Sequence, residues 1–243
     1  MRASPEHAGI ARSPAIGGAA EVTGHGETGL VPPGHEGCGP RCWRDVRKAP
    51  APREGVRFSI LFVCTGNICR SPLAERLTRA ALGPCPAVQV ISAGTHARPG
   101  MEMARHTRRT LVRLGGDPAD FGSRLLVPGL VAEADLVLTA TGRHRAHAVA
   151  LHLAAAGRAF TIAEFGTLVQ AVPPGKITRH RDPAHRARAL VDEARALRGL
   201  VRVDELDIAD PYQGSRLAHR AAGRNIARAL AVPLRLLTHP QDA

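Results

Sequence analysis

The sequence predicts an α/β protein built on a doubly wound, parallel, four-stranded sheet with helices on both faces, preceded by an N-terminal extension that takes no part in it. Three observations predict this. Residues 58–63 and 135–140 are short, nearly continuous apolar runs, as strands buried on both faces of a parallel sheet require. Segments with helical spacing separate the strand candidates, and strands joined through helices form right-handed βαβ units. Residues 1–54 are crowded with Gly and Pro, mix charges of both signs and carry apolar residues without period, so they cannot bury enough surface to offset ordering entropy and are expected to be disordered.

From Val56 onward, each element follows from its own residues. The first strand, 58–63, runs straight into Cys64. Ser71 and Pro72 open a helix that places Leu73, Leu77, Ala80 and Ala81 on one face and Glu75, Arg76 and Arg79 outside it; Gly83-Pro84 stops it. A second strand, Val88 to Ser92, leads into Ala93-Gly94-Thr95, and a helix over about 102–114 ends at Gly115-Gly116. A short helix near 130–134 precedes the third strand at 135–140. Helix 142–156, a turn at Gly157 and a short strand at Phe160 to Ile162 follow. Residues 173–204 read as a basic helical insertion, and Gly214 with Ser215 opens a last helix over 216–231. The catalytic domain is thus expected over 55–240. Ligands of such sheets bind beyond the carboxyl ends of the strands, where Cys64 lies.

The chemistry is concentrated in Cys64-Thr65-Gly66-Asn67-Ile68-Cys69-Arg70-Ser71. A cysteine followed by five residues and an arginine closes a loop whose N–H groups can turn inward on an anion, because Gly66 tolerates positive φ and Asn67 can take the left-handed conformation. The loop ends on a helix N-terminus, which favours negative charge. Thiols in that setting ionise more readily, so Cys64 is expected to be a thiolate nucleophile at neutral pH. A cysteine ending an apolar strand is otherwise a small buried hydrophobe, and the Cys-x5-Arg spacing alone arises by chance. Strand, Gly-Asn turn, arginine and Ser-Pro helix start in register do not.

Val63 through Pro72 resembles the signature of the low-molecular-weight protein tyrosine phosphatases, in an actinobacterial-looking branch. The resemblance implies that Cys64 attacks phosphorus and that Arg70 clamps two phosphate oxygens with its planar fork. It implies that Asn67 holds the loop's backbone, that Ser71 hydrogen-bonds the thiolate, and that Thr65, Gly66, Ile68 and Cys69 complete the phosphate-binding loop. Cys69 resembles the family's second loop cysteine, which traps the nucleophile as a reversible disulfide. Ser92, in Ser92-Ala93-Gly94-Thr95, is implied to support the loop. A thiolate attacking a phosphate ester needs an acid for the leaving oxygen and later a base for water, and one carboxylate serves both. Asp210-Pro211-Tyr212 resembles the family's acid loop, with Tyr212 as a pocket wall; Asp207 competes but lacks the proline. Three departures stand out. Thr139-Ala140-Thr141 followed by Arg143, His144 and Arg145 replaces the usual Met-Asp; His96, Ala97 and Arg98 replace an aromatic; and 173–204 is longer than expected.

Composition bounds the rest. The formal net charge of +12 falls almost wholly on residues 55–243 and suits an anionic substrate or nucleic acid. Aromatics make up 3% of residues, too few for base-stacking platforms, which argues against nucleic acid. No apolar stretch has signal-peptide or membrane length, and five cysteines without a secretory signal indicate a reducing, cytoplasmic setting, with Cys85 a plain loop or core residue. His35, Cys38 and Cys42 cluster with irregular spacing that gives little support to a zinc site. Lysine occurs only at Lys48 and Lys176; such arginine-rich coding makes an alternative start at Val46 or Val56 conceivable. No metal or organic cofactor is implied, since loop amides and Arg70 supply the transition-state charge. The implied partner is a phosphorylated protein, such as a bacterial tyrosine kinase, and oligomeric state is not encoded legibly. The rival functions are an arginine phosphatase, whose loop carries threonine where Ile68 stands, an arsenate reductase, disfavoured because no cysteine follows Cys85, and a catalytically weak phosphoprotein-binding module.

Overall fold

The computed structural model describes residues 58–238; the extension 1–54, with His35, Cys38, Cys42 and Val46, lies outside the described residues, as do Val56 and residues 239–243. Four parallel strands form one sheet: β1 (Phe58–Cys64), β2 (Val88–Gly94), β3 (Leu136–Thr139) and β4 (Ala159–Thr161), in the order β2-β1-β3-β4. Their register sets Cys64 beside Gly94 and Val63 beside Thr139. The carboxyl ends of β1, β2 and β3 therefore share one edge. The helices are α1 (Arg70–Leu82), α2 (Arg105–Arg113), α3 (Pro128–Glu133), α4 (Gly142–Leu151), α5 (Ile162–Gln170), α6 (Gly175–Thr178), α7 (Pro183–Leu197) and α8 (Arg216–Thr238).

Alternation along β1 divides the core between the two faces. Phe58, Ile60 and Phe62 pack with Leu73, Leu77, Phe165, Leu190, Ile226 and Leu230 under α1, α5, α7 and α8. Leu61 and Val63 pack with Ile91, Val137, Leu130, Val131 and Ala148 under α3 and α4. Both faces of the sheet are covered, which is why β1 and β3 read as unbroken apolar runs.

Several expectations are corrected. Ala80 and Ala81 are exposed, and Glu75, expected outside α1, is 5% exposed. Glu102 and Met103 precede α2 rather than belonging to it. Helix 142–156 is instead α4 followed, after extended His152, by a 3-10 turn over Leu153–Arg158. Ile162 opens α5, an unexpected helix, because Thr161 accepts from the backbone N–H of Glu164 and Glu164 accepts from that of Thr161, a complete capping box. Residues 173–204 hold α6 and α7, with 198–204 non-helical. Asp182 caps α7 by accepting from Ala184 and His185 N–H, with Pro183 as first helical residue.

The last helix runs seven residues past its expected end at 231, through Pro233. Its terminal carbonyl is taken up elsewhere. Arg186, 3% exposed, donates from Nε and Nη2 to the Leu237 carbonyl at 2.8 and 2.6 Å, and from Nη1 to His180 and Arg181 carbonyls. One buried guanidinium thus caps α8, a role no periodicity reveals.

Candidate active site

The loop between β1 and α1 wraps the sulfur of Cys64. Its carbonyls face away: the oxygens of Cys64, Thr65, Ile68 and Cys69 accept from the N–H groups of Thr95, His96, Ala104 and Leu73. Among the described residues, the backbone N–H groups of Gly66 to Arg70 donate to no protein group. Of the two residues expected to bend the backbone, Asn67 does so, at φ 51°, whereas Gly66 does not. Asn67 is held on three sides. Its amide nitrogen donates to Ser71 Oγ and Ser92 Oγ, both at 2.8 Å, and its oxygen accepts from Arg124 N–H at 2.7 Å. These three bonds compensate the cost of a left-handed non-glycine residue.

Behind Asn67 lies a buried relay. Ser71 Oγ is 3.0 Å from Cys64 Sγ, and since it already accepts from Asn67, its proton is available to the sulfur or to the Ala93 carbonyl. Ser92 Oγ donates to Glu75 at 2.5 Å, and Glu75 is paired with Arg79 at 2.8 Å. A buried carboxylate with a charge partner and a hydrogen bond is tolerable where a lone one is not. Glu75 was unforeseen because its partners come from β2 and from one turn further along α1.

Gly94 sets the clearance beneath the loop. A Cβ there would overlap the Thr65 carbonyl oxygen and stand 2.7 Å from Asn67 N. Both atoms are backbone and cannot swing aside. Gly94→Ala is therefore expected to displace the loop by several tenths of an ångström and to lower kcat/KM for aryl phosphate on the order of 10²-fold, as small misplacements of reacting groups do. Wild-type kinetics in a folded Gly94→Ala protein would show that the loop has slack.

Arg70 is 4% exposed and comes from the first turn of α1. Nη1 donates to the Ile208 carbonyl at 2.9 Å, Nη2 pairs with Asp210 Oδ2 at 2.6 Å, and Nε is buried without a protein partner. The structure thus brings Cys64, Arg70 and Asp210 together. Asp210 is 46% exposed, and its other oxygen accepts from Tyr212 N–H at 3.2 Å. The competing Asp207 is engaged elsewhere, accepting from the first N–H of α4, Gly142, at 2.8 Å. The pocket over Cys64 has a volume of about 380 Å³ and is walled by Ile68, His96, Arg98, Met101 and Tyr212. His96 and Arg98 occupy the place expected for an aromatic, and Arg98 brings positive charge to this wall.

Cys69, at 4% exposure, is a thiol whose pKa burial pushes up to about 11, against a hydrogen bond with Thr107 that lowers it. Cys85 is half-buried against the core.

His144 was not recognised as a site residue. It is 8% exposed, with Nε2 at 2.9 Å from Thr65 Oγ1 and Nδ1 at 2.7 Å from Thr141 Oγ1. Burial, and then the Arg70 charge, lower its pKa to about 4. Between pH 6.5 and about 4 the unfolded chain binds a proton that the folded one refuses, so stability falls as pH drops through that window, on the order of 3 kcal/mol in all. His144→Asn removes that component. The difference in unfolding free energy between wild type and variant is expected to change with pH over this window and to be flat above it. His219, also shifted down by burial, is common to both proteins and cancels. Parallel stability profiles would refute the burial account.

Fold and site define the class: an α/β protein whose first strand ends in a loop that wraps a cysteine sulfur and leads to a buried arginine. The family described as "Low molecular weight phosphotyrosine protein phosphatase" matches residues 59–173. The chain is 37% identical over 106 residues to the probable low molecular weight protein-tyrosine-phosphatase EpsP of Ralstonia nicotianae, covering 44% of this chain and 71% of that protein. It is 36% identical over 108 residues, with the same coverage, to a protein-arginine-phosphatase of Geobacillus stearothermophilus. The solved YwlE arginine phosphatase of that organism superposes with a TM-score of 0.54 at 27% identity, over 73% of this chain and 91% of that one. The chain belongs to the low molecular weight phosphotyrosine protein phosphatase family. The match ends at 173, so Asp210 and Tyr212 lie beyond it.

Proposed function

We propose that this protein hydrolyses phosphate monoesters of phosphoproteins, phosphotyrosine first, through a phosphocysteine at Cys64. The observation that carries this is the set of unspent donors around one sulfur: the N–H groups of Gly66 to Arg70 and the buried, unpartnered Nε of Arg70. Buried donors without partners are costly in a native structure, and a phosphate dianion satisfies them together.

In the first step the Cys64 sulfur attacks phosphorus, the S–P bond forms, the ester P–O bond breaks, and Asp210 gives its proton to the departing oxygen. In the free protein Asp210 is ion-paired with Arg70 at 2.6 Å; the phosphate dianion takes over that guanidinium, and Asp210, released and protonated from solvent, stands beside the leaving oxygen. In the second step Asp210 takes a proton from water as it attacks phosphorus, the S–P bond breaks, and phosphate leaves. The Ser71 hydroxyl, 3.0 Å from the sulfur, stabilises negative charge there at the start and at the end. Thr65, Asn67, Ser92 and Glu75 hold the loop in place. Turnover of p-nitrophenyl phosphate by the full chain, blocked by vanadate, is the expected result; no turnover by the reduced protein would favour a phosphoprotein-binding module instead.

Phosphoarginine is a second reading, favoured by the arginine phosphatase relatives. Against it stands the apolar Ile68 in the pocket wall, which suits an aryl ring better than a charged guanidine. Paired phosphotyrosine and phosphoarginine peptides separate the two. Arsenate reduction through a cysteine relay is opposed by the lack of cysteines after Cys85. The family resemblance supports an autophosphorylated tyrosine kinase as partner. The need for an unoxidised sulfur at Cys64 supports a reducing cytoplasmic location. Among the described residues, no helix is long and apolar enough to cross a membrane.

A further inference from the structure

We propose that the exposed face shared by α2 and α8 docks an acidic stretch of the phosphoprotein substrate; the proposal rests on the protein phosphatase reading above. Arg105, Arg109 and Arg113 recur every four residues along α2, and Arg216, Arg220 and Arg224 do the same along α8. The helices pack side by side and run in the same direction. Thr107 Oγ1 meets His219 Nδ1 at 2.9 Å, and three residues on, Thr110 faces Gly223, where a Cβ would crowd its methyl group. The contact line between the helices runs through Thr107, Thr110, His219 and Gly223, and the two arginine rows come within electrostatic reach of each other at Arg113 and Arg220. Arg113, Arg216 and Arg224 together lower the pKa of Arg220, whose Nε is buried without a partner.

Among the described residues none of these six arginines forms an ion pair, and the acid at hand, Glu102, is taken by Arg108 at 2.9 Å. Like charges four apart on a helix destabilise it, and an anion laid across them reverses the sign of that interaction. The groove along α2, lined by Arg105, Arg109, Val112 and Arg113, holds about 670 Å³, more than the pocket over Cys64. No catalytic group lies in it, which marks it as a surface for binding rather than chemistry.

Both rows begin at the rim of the active site. Ala104 N–H, just before α2, donates to the Ile68 carbonyl of the phosphate loop at 2.9 Å. Met101 lines the catalytic pocket while its neighbour Glu102 lines the groove, and α8 starts at Arg216, shortly after the Asp210 loop. Each row spans about 12 Å at the helical rise, a length that roughly four extended residues cover. Charge, length and continuity with the pocket fit an acidic peptide leading away from the phosphorylated residue. Neither helix carries Phe, Tyr or Trp, so the face has no platform on which bases could stack.

The test uses the full chain and two phosphotyrosine peptides, alike except that one carries a run of glutamates and the other glutamines, set about four residues from the phosphotyrosine. Wild type is expected to show a kcat/KM roughly tenfold higher for the acidic peptide at low salt, an advantage lost at high salt. The variant Arg109→Gln/Arg113→Gln/Arg220→Gln is expected to lose the advantage while keeping p-nitrophenyl phosphate turnover. Should the triple variant fail to fold, Arg109→Gln and Arg113→Gln singly are expected to reduce the advantage about two- to threefold. Equal kcat/KM for the two peptides with wild type, or an undiminished advantage in the variants, overturns the docking proposal alone. Turnover of p-nitrophenyl phosphate with neither peptide accepted overturns the phosphoprotein reading itself. Binding of a single-stranded RNA that the triple variant loses, without any peptide preference, assigns the face to nucleic acid and overturns the proposal.

Discussion

Cys64→Ser is expected to abolish turnover, with a loss on the order of 10⁵-fold or more, as removal of a covalent nucleophile does. A serine hydroxyl at this position stays protonated at neutral pH, and no base is placed to activate it. Asp210 is held on Arg70, Glu75 is engaged by Ser92 and Arg79, and His144 spends both ring nitrogens on Thr65 and Thr141. Ground-state recognition should survive, because the loop amides and Arg70 are untouched. Inorganic phosphate is therefore expected to raise the thermal unfolding midpoint of both wild type and Cys64→Ser. Activity above about 1% of wild type in Cys64→Ser, with contamination excluded by a second purification, would mean that the sulfur does not attack phosphorus.

Asp210→Ala is expected to lower kcat by about 10² to 10⁴. The size of the deficit depends on the leaving group. A p-nitrophenolate departs with little help, whereas phenolate, like the tyrosine oxygen, needs the proton, so the deficit is greater with phenyl phosphate. Removing Asp210 also frees Nη2 of Arg70 from its 2.6 Å ion pair. Phosphate affinity is thus expected to hold or rise while kcat collapses, a split that loss of structure does not produce. Near-wild-type hydrolysis of phenyl phosphate by Asp210→Ala would return Asp207 to consideration, despite its bond to Gly142 N–H.

The residues legible in the sequence are those whose role is set within one turn of chain. Cys64, Asn67, Arg70 and Ser71 lie in a single loop between a strand and a helix, so their geometry follows from local backbone preferences. Asp210 stands out through the proline after it and its place before the last helix, and the structure pairs it with Arg70. Glu75 was misread because amphipathic spacing ranks a carboxylate as a surface residue, and only the arrival of Ser92 from β2 makes its burial affordable. α5 carried its signal, Thr161 and Glu164 at capping-box spacing, but a short strand running directly into an apolar helix blurs the change of period. Arg186 and His144 bond partners 51 and 79 residues away, beyond any window in which periodicity operates.

The sequence by itself determined a parallel α/β sheet and a Cys-x5-Arg loop between its first strand and the helix that follows, because short-range sterics and hydrophobic alternation decide these. Only the tertiary structure decided which carboxylate stands on Arg70, what holds the loop from beneath, and which arginines gather on one face. Those depend on strand register and helix packing, which join residues far apart in the chain at distances of about 3 Å, where hydrogen bonds and charges take effect.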